Sequence, residues 1–120
     1  MTMQELIELQ KNFDGKHKGN FKWNSKITES NIEMLEFLLL SLTGEVGEVA
    51  NIVKKIVRGD FKLDEKRQDI QEELTDVFIY LLKLSYQLDI DLEKAYVEKM
   101  KKNRERFLKY EKSGEKESEG

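Results

Sequence analysis

LTGEVGEVANIVKKIVRGDFKLDEKRQDIQEELTDVFIY, residues 42–80, holds two acidic pairs of equal spacing, Glu45 with Glu48 and Glu73 with Asp76. On a helix, residues three apart share a face, so each pair projects from one side of its own helix. Residues 49–72 are enough chain to finish one helix, turn, and bring a second back antiparallel. Four carboxylates then face one another.

Helical phase sharpens that expectation. Leu35, Leu39, Leu42, Val46, Val49, Val53 and Ile56 step by fours and threes, the pattern of a buried seam. Ile70, Leu74, Val77, Leu81, Leu84 and Leu88 repeat it on the next helix. Glu45 lies roughly 60° from Leu42 and Glu73 roughly 40° from Val77 on the helical wheel, so both sit at seam edges. Acids so placed repel one another and lose hydration unless a cation joins them. Carboxylate oxygens without histidine or sulfur select hard cations, and Mg²⁺ in company with phosphates suits the set.

With these residues in view the chain resembles the all-α nucleoside triphosphate pyrophosphohydrolases of the MazG-like superfamily, including the dCTP pyrophosphatase branch. The likeness rests on residues 44–50, on Glu73-Leu74-Thr75-Asp76-Val77-Phe78-Ile79-Tyr80-Leu81-Leu82, and on a third block, Lys99-Met100-Lys101-Lys102-Asn103-Arg104. It covers about Asn31 to Phe107. Many members carry a further glutamate just before the first pair. Here that position is Gly44, as in the dCTP pyrophosphatase branch. The resemblance implies an all-α, four-helix-bundle-type fold of long antiparallel helices, assembled as a homo-oligomer (dimer or tetramer). It implies a nucleoside triphosphate substrate cut at its α–β phosphoanhydride to a monophosphate and pyrophosphate, in a house-cleaning role on the nucleotide pool. Glu45, Glu48, Glu73 and Asp76 are then the catalytic metal ligands for Mg²⁺, with Mn²⁺ as a substitute. One of them, or Glu72, orients the attacking water. The resemblance also implies that Tyr80 lines the nucleoside pocket, although a tyrosine at a seam edge often packs and hydrogen-bonds outward. Lys99, Asn103 and Arg106 on the last helix are candidates for phosphate or sugar contacts, although a lone amide at such a position can simply fix helix register.

Composition sets the bounds. Hydrophobic and charged residues each make up 38%, proline is absent, and long solvent-faced helices fit that balance better than a sheet rich in turns. Without cysteine there is neither a disulfide nor a thiolate metal site. A net charge of −3 gives no pull towards nucleic acid. No apolar run approaches the ~20 residues that span a membrane, so a soluble cytoplasmic protein is the expectation. One domain is expected over 1–110, with the charged, Ser- and Gly-containing end at 111–120 a disordered tail.

Along the chain, Thr2-Met3-Gln4-Glu5 reads as a capping box, opening a short helix that turns Met3, Leu6, Ile7 and Phe13 inward and ends at Asp14-Gly15. The loop that follows sets Phe21 and Trp23 among lysines. Trp23 is a candidate to lie over a nucleobase, although anchoring the loop to the core is an equally good reading. Ser30-x-x-Glu33 reads as a second capping box, and Gly59 as the C-cap of the long helix after it. Lys54 and Lys55 follow Glu48 by one to two turns and suit triphosphate, although a solvated face is commoner. Asp64 and Asp91 are expected as N-caps of the third and fourth helices. The fourth helix turns Leu92, Tyr96, Met100, Asn103 and Phe107 inward, with Lys99 and Arg106 on one flank of Asn103. The second helix is apolar nearly all round from Met34 to Leu42, which independently favours assembly.

Other readings stay open on the residues themselves. A non-catalytic oligomeric helical bundle would carry such acids on a solvated face. A related dUTP-type or phosphoribosyl-ATP pyrophosphohydrolase would share the architecture. A di-iron bundle wants Glu-x-x-His pairs, and the sole histidine, His17, lies in a loop.

Overall fold

A computed structural model describes residues 1–17, 19 and 24–119, with side chains for 1–17, 19, 24–108 and 110. Among them the regular elements are helices: α1 (Met3–Lys16), a 3-10 turn (Glu29–Asn31), α2 (Ile32–Arg58), α3 (Leu63–Gln87) and α4 (Leu92–Glu119). Among the described residues no helix is long and apolar enough to cross a membrane. The chain divides into two units, Met1–Ile90 and Asp91–Gly120.

Helix α1 starts where the capping box puts it. The Thr2 hydroxyl accepts from the Glu5 N–H at 3.1 Å, and the Glu5 carboxylate accepts from the Thr2 N–H at 3.2 Å. It does not stop at Asp14-Gly15. The helix runs to Lys16, with the His17 ring stacked on Phe13 at 4.2 Å and its Nδ1 2.7 Å from the Phe13 carbonyl. The expected inner face also shifts: Phe13 is 55% exposed, whereas Asp14 is fully buried.

The start of α2 differs from the expected Ser30–Glu33 box. Thr28 caps the 3-10 turn instead, its hydroxyl accepting from the Ser30 N–H at 3.3 Å while the Asn31 side chain accepts from the Thr28 N–H at 2.6 Å. Helix α2 then begins at Ile32 with no side-chain cap of its own. Its end is as expected. Gly59 takes φ +95°, a left-handed conformation that glycine adopts without a Cβ clash. The N–H groups of Gly59 and Asp60 close on the Ile56 and Lys55 carbonyls, each at 3.0 Å. Helix α3 opens at Leu63 after Lys62, so Asp64 is not its cap. Asp64 lies in the first turn, 2.7 Å from the Arg67 guanidinium.

The short connection 59–62 folds α2 and α3 back on each other, and α1 packs on α3. The expected seams are only partly covered. Leu39, Val46 and Val53 on α2 and Leu74 and Leu81 on α3 are exposed, while Leu38 is the one fully buried residue of α2. The well-packed part of the unit lies around the C-terminal half of α3, where Leu82, Leu84, Ser85 and Gln87 are buried together with Ile7, Asp14 and Leu38. Two backbone and ionic ties close this end: the Ile27 N–H donates to the Gln87 carbonyl at 2.8 Å, and Lys26 pairs with Asp89 at 3.0 Å.

Its polar centre is Asp14. The carboxylate accepts from Gln10 Nε2 at 2.8 Å and from the Tyr86 hydroxyl, and lies 3.7 Å from Lys83 Nζ. A buried carboxylate persists only when hydrogen-bonded and paired, and here helix α3 supplies both a donor and a cation.

Helix α4 is capped as expected, the Asp91 carboxylate accepting from the Lys94 N–H at 3.0 Å. Its backbone stays helical through Glu119, so the charged stretch from 111 lies on the same continuous helix.

Candidate active site

Helices α2 and α3 bring three of the expected carboxylates together. Glu45 lies 14 residues before Gly59, and Glu73 and Asp76 lie at a similar distance after the connection, so the reversal at 59–62 sets them at one level. One oxygen each from Glu45, Glu73 and Asp76 falls within 4.8 Å of the others. Glu48, one turn further along α2, is outside that group and exposed, although its charge still reaches Glu73. Thr43 and Thr75 neighbour the acids, but each hydroxyl donates at 2.8 Å to a carbonyl of its own helix, of Leu39 and Gln71 respectively.

The electrostatics of the cluster are those of anions forced together. A hydrogen bond shared with Glu45, then burial, then the negative charges of Glu45, Asp76 and Glu48 lift the Glu73 carboxyl above its ordinary value of 4.5. A cation among these carboxylates would relieve the repulsion. The donors are all hard oxygens, the set that suits Mg²⁺ or a similar ion, so the acidic cluster fits a divalent metal.

The other expected residues fall as follows. Lys55 is half-buried near the end of α2 and Lys54 is exposed; Glu72 is exposed beside Glu73. Tyr80 is half-buried one turn beyond Asp76, on the same side of α3. On α4, Asn103 is half-buried, whereas Lys99 and Arg106 are exposed, Arg106 lying 4.7 Å over the Phe107 ring. Trp23 lies outside the described residues.

One group escaped the sequence reading altogether. The Asp14–Lys83–Tyr86 cluster takes its members from two helices, and Asp14-Gly15 has the look of a helix stop. The available signal was Lys83 breaking the apolar run of α3.

Comparison with known proteins shows the family. The model of the MazG nucleotide pyrophosphohydrolase domain matches residues 33–109. The Gene 37 protein of Mycobacterium phage L5 is 46% identical over 61 residues, 49% of this chain and 54% of that protein. The dCTP pyrophosphatase 1 of Rattus norvegicus is 39% identical over 80 residues, and that of Homo sapiens 40% identical over 74, each covering 58% of this chain and 44% of the relative. The chain spans about half the length of the curated relatives it matches. The family match takes in both carboxylate-bearing helices and more than half of the chain, and on that ground the protein belongs to the MazG nucleotide pyrophosphohydrolase family.

Proposed function

We propose that the chain hydrolyses a nucleoside or deoxynucleoside triphosphate at its α–β phosphoanhydride, releasing a monophosphate and pyrophosphate. The observation that carries this is the convergence of Glu45, Glu73 and Asp76, where the neighbouring acids raise the Glu73 carboxyl above its ordinary value. Mg²⁺ is the proposed ion, with Mn²⁺ as a substitute. When bound, it would neutralise phosphate charge and assist in-line attack by water. Glu45, Glu73 and Asp76 would hold it, and Glu48 would join them through a side-chain rotation or a water. Glu72, exposed beside them, is a further candidate to orient the attacking water.

Tyr80 is proposed to line the nucleoside pocket. Trp23, Lys55, Lys99, Asn103 and Arg106 are proposed contacts to base, phosphate or sugar. The relatives named dCTP pyrophosphatase make dCTP the first substrate to try. We also propose a homo-oligomer, dimer or tetramer, because Leu39, Leu40, Val46, Val53 and Val57 leave an apolar face of α2 exposed. A single domain over 1–110, a cytoplasmic location and a role in cleansing the nucleotide pool complete the reading, with neither nucleic acid nor membrane as partner.

The test is pyrophosphate release from a panel of canonical and modified nucleoside triphosphates with Mg²⁺, alongside Glu48→Gln and Asp76→Asn. Release by the wild type, lost in the folded variants, supports the reading and ranks the substrates. No release from any triphosphate would leave a helical assembly protein.

A further inference from the structure

Helix α3 carries a polar ridge through its apolar surface. Glu73, Asp76, Tyr80, Lys83 and Gln87 follow at steps of three and four, the spacing of one helix face. One end of the ridge is the acid cluster and the other meets α1 at the buried Asp14. Lys83 stands between them along the helix, against Tyr80 on one side and Asp14 on the other. Its ammonium lies 5.2 Å from the centroid of the Tyr80 ring and 3.7 Å from the Asp14 carboxylate. Only 12% of the Lys83 side chain is exposed, an unusual position for a residue that normally keeps its head in water. Burial lowers the affinity of Lys83 for its proton, and Asp14 opposes that shift. Asp14 is itself held by Gln10 and Tyr86, so the cation has a fixed counter-ion on a second helix.

We propose that Lys83, held by Asp14, is a positioning residue for the nucleotide reaction, setting the Tyr80 ring beside the carboxylates in one orientation. The inference rests on the nucleotide reading above, in which Tyr80 lines the substrate pocket. A cation against the face of an aromatic ring restricts its rotation, and a lysine on a flexible stem does this only if something restrains the lysine. Asp14 supplies that restraint. A ring already oriented does not have to be ordered when substrate arrives, so the contribution appears in substrate binding and not in the chemical step. A cluster that merely ties α1 to α3 would have a different signature, since its loss would lower stability and leave KM unchanged.

The experiment compares steady-state kinetics and thermal unfolding of wild type, Lys83→Met, Lys83→Arg, Tyr80→Leu and the Lys83→Met/Tyr80→Leu pair, using dCTP or the triphosphate the panel ranks first. Lys83→Met keeps the stem and removes the charge. KM is expected to rise about fivefold, as for loss of one partly desolvated cation–aromatic contact, with kcat within about twofold. Lys83→Arg restores a cation and is expected to bring KM back towards wild type. In the Tyr80→Leu background Lys83→Met should leave KM where Tyr80→Leu alone puts it. If Lys83→Met does not fold, Lys83→Gln takes its place with the same expectations. Wild-type turnover with an unchanged KM in the charge-removing variant overturns the positioning role alone, as does an equal KM effect with and without the Tyr80 ring. A wild type that releases no pyrophosphate overturns the parent reading, and the positioning role falls with it.

Discussion

Replacing Asp14 by alanine should be among the most damaging single changes in this protein. The carboxylate is 0% exposed and gathers a hydrogen bond from Gln10 at 2.8 Å, another from the Tyr86 hydroxyl, and the Lys83 ammonium at 3.7 Å. Alanine leaves an ammonium and a phenol facing one another's vacated partner in a largely buried site. Breaking a buried charge pair from one side destabilises by about 3–5 kcal/mol. Tyr86→Phe removes one hydrogen bond to a charged group, about 1.5–3 kcal/mol. Lys83→Met should cost less than Asp14→Ala, because Asp14 keeps two donors. Urea unfolding followed by far-ultraviolet circular dichroism, at one protein concentration, measures all three. With a slope of about 1–3 kcal/mol/M, Asp14→Ala should lower the midpoint by at least about 1 M. The double variant Asp14→Ala/Tyr86→Phe should be about as stable as Asp14→Ala, since the two changes remove the same contact. An Asp14→Ala midpoint equal to wild type would refute the cluster and the packing of α1 on α3 that depends on it.

Three further expectations follow from the same unit. Burial, the hydrogen bond to Asp14 and its charge push the Tyr86 phenol well above its ordinary value of 10.0. A raised phenol means the neutral form is favoured by folding, so this stability is complete below pH 10 and disappears as pH rises through the folded-state value. In an alkaline titration of tyrosinate absorbance, one of the four tyrosines should resist ionisation until the protein unfolds, and that component should vanish in Tyr86→Phe. Ionisation of Tyr86 near its ordinary value of 10.0 in the folded protein would contradict it. Among the glycines, Gly59→Ala should destabilise by about 1–2 kcal/mol because φ +95° strains any side chain. Gly44→Ala should stabilise by about 0.5–1 kcal/mol, since a Cβ there meets nothing within 4 Å. A destabilising Gly44→Ala would mean that another surface covers α2 at that point.

Much of this was legible in the sequence, and the residues show why some was not. Apolar spacing located α2 and α3, and the chemistry of glycine located the end of α2. Periodicity reports that a face is apolar, not which neighbour covers it, and so Leu39, Val46 and Val53 read as buried but stand exposed. The acid pairs were visible from their spacing, whereas the relative register of two helices decides which members meet. That register brings in Glu45, Glu73 and Asp76 and leaves Glu48 outside. Asp14 was misread because its neighbour Gly15 signals a stop, while its real partner, Tyr86, lies 72 residues away along the chain. The capping of α2 was misassigned for a local reason: Thr28, two residues before Ser30, captured the cap for a 3-10 turn.

The most direct test of the central claim is a product analysis of one reaction, dCTP with Mg²⁺, catalysed by the wild type and by Glu73→Gln. Glutamine keeps the shape of the side chain and removes the charge that a metal would bind. The wild type is predicted to form dCMP and pyrophosphate in equal amounts, only with the metal present, and Glu73→Gln to lose about 100-fold or more of that rate while remaining folded. Formation of dCDP and inorganic phosphate, or pyrophosphate release indifferent to Mg²⁺ and to Glu73→Gln, would contradict it.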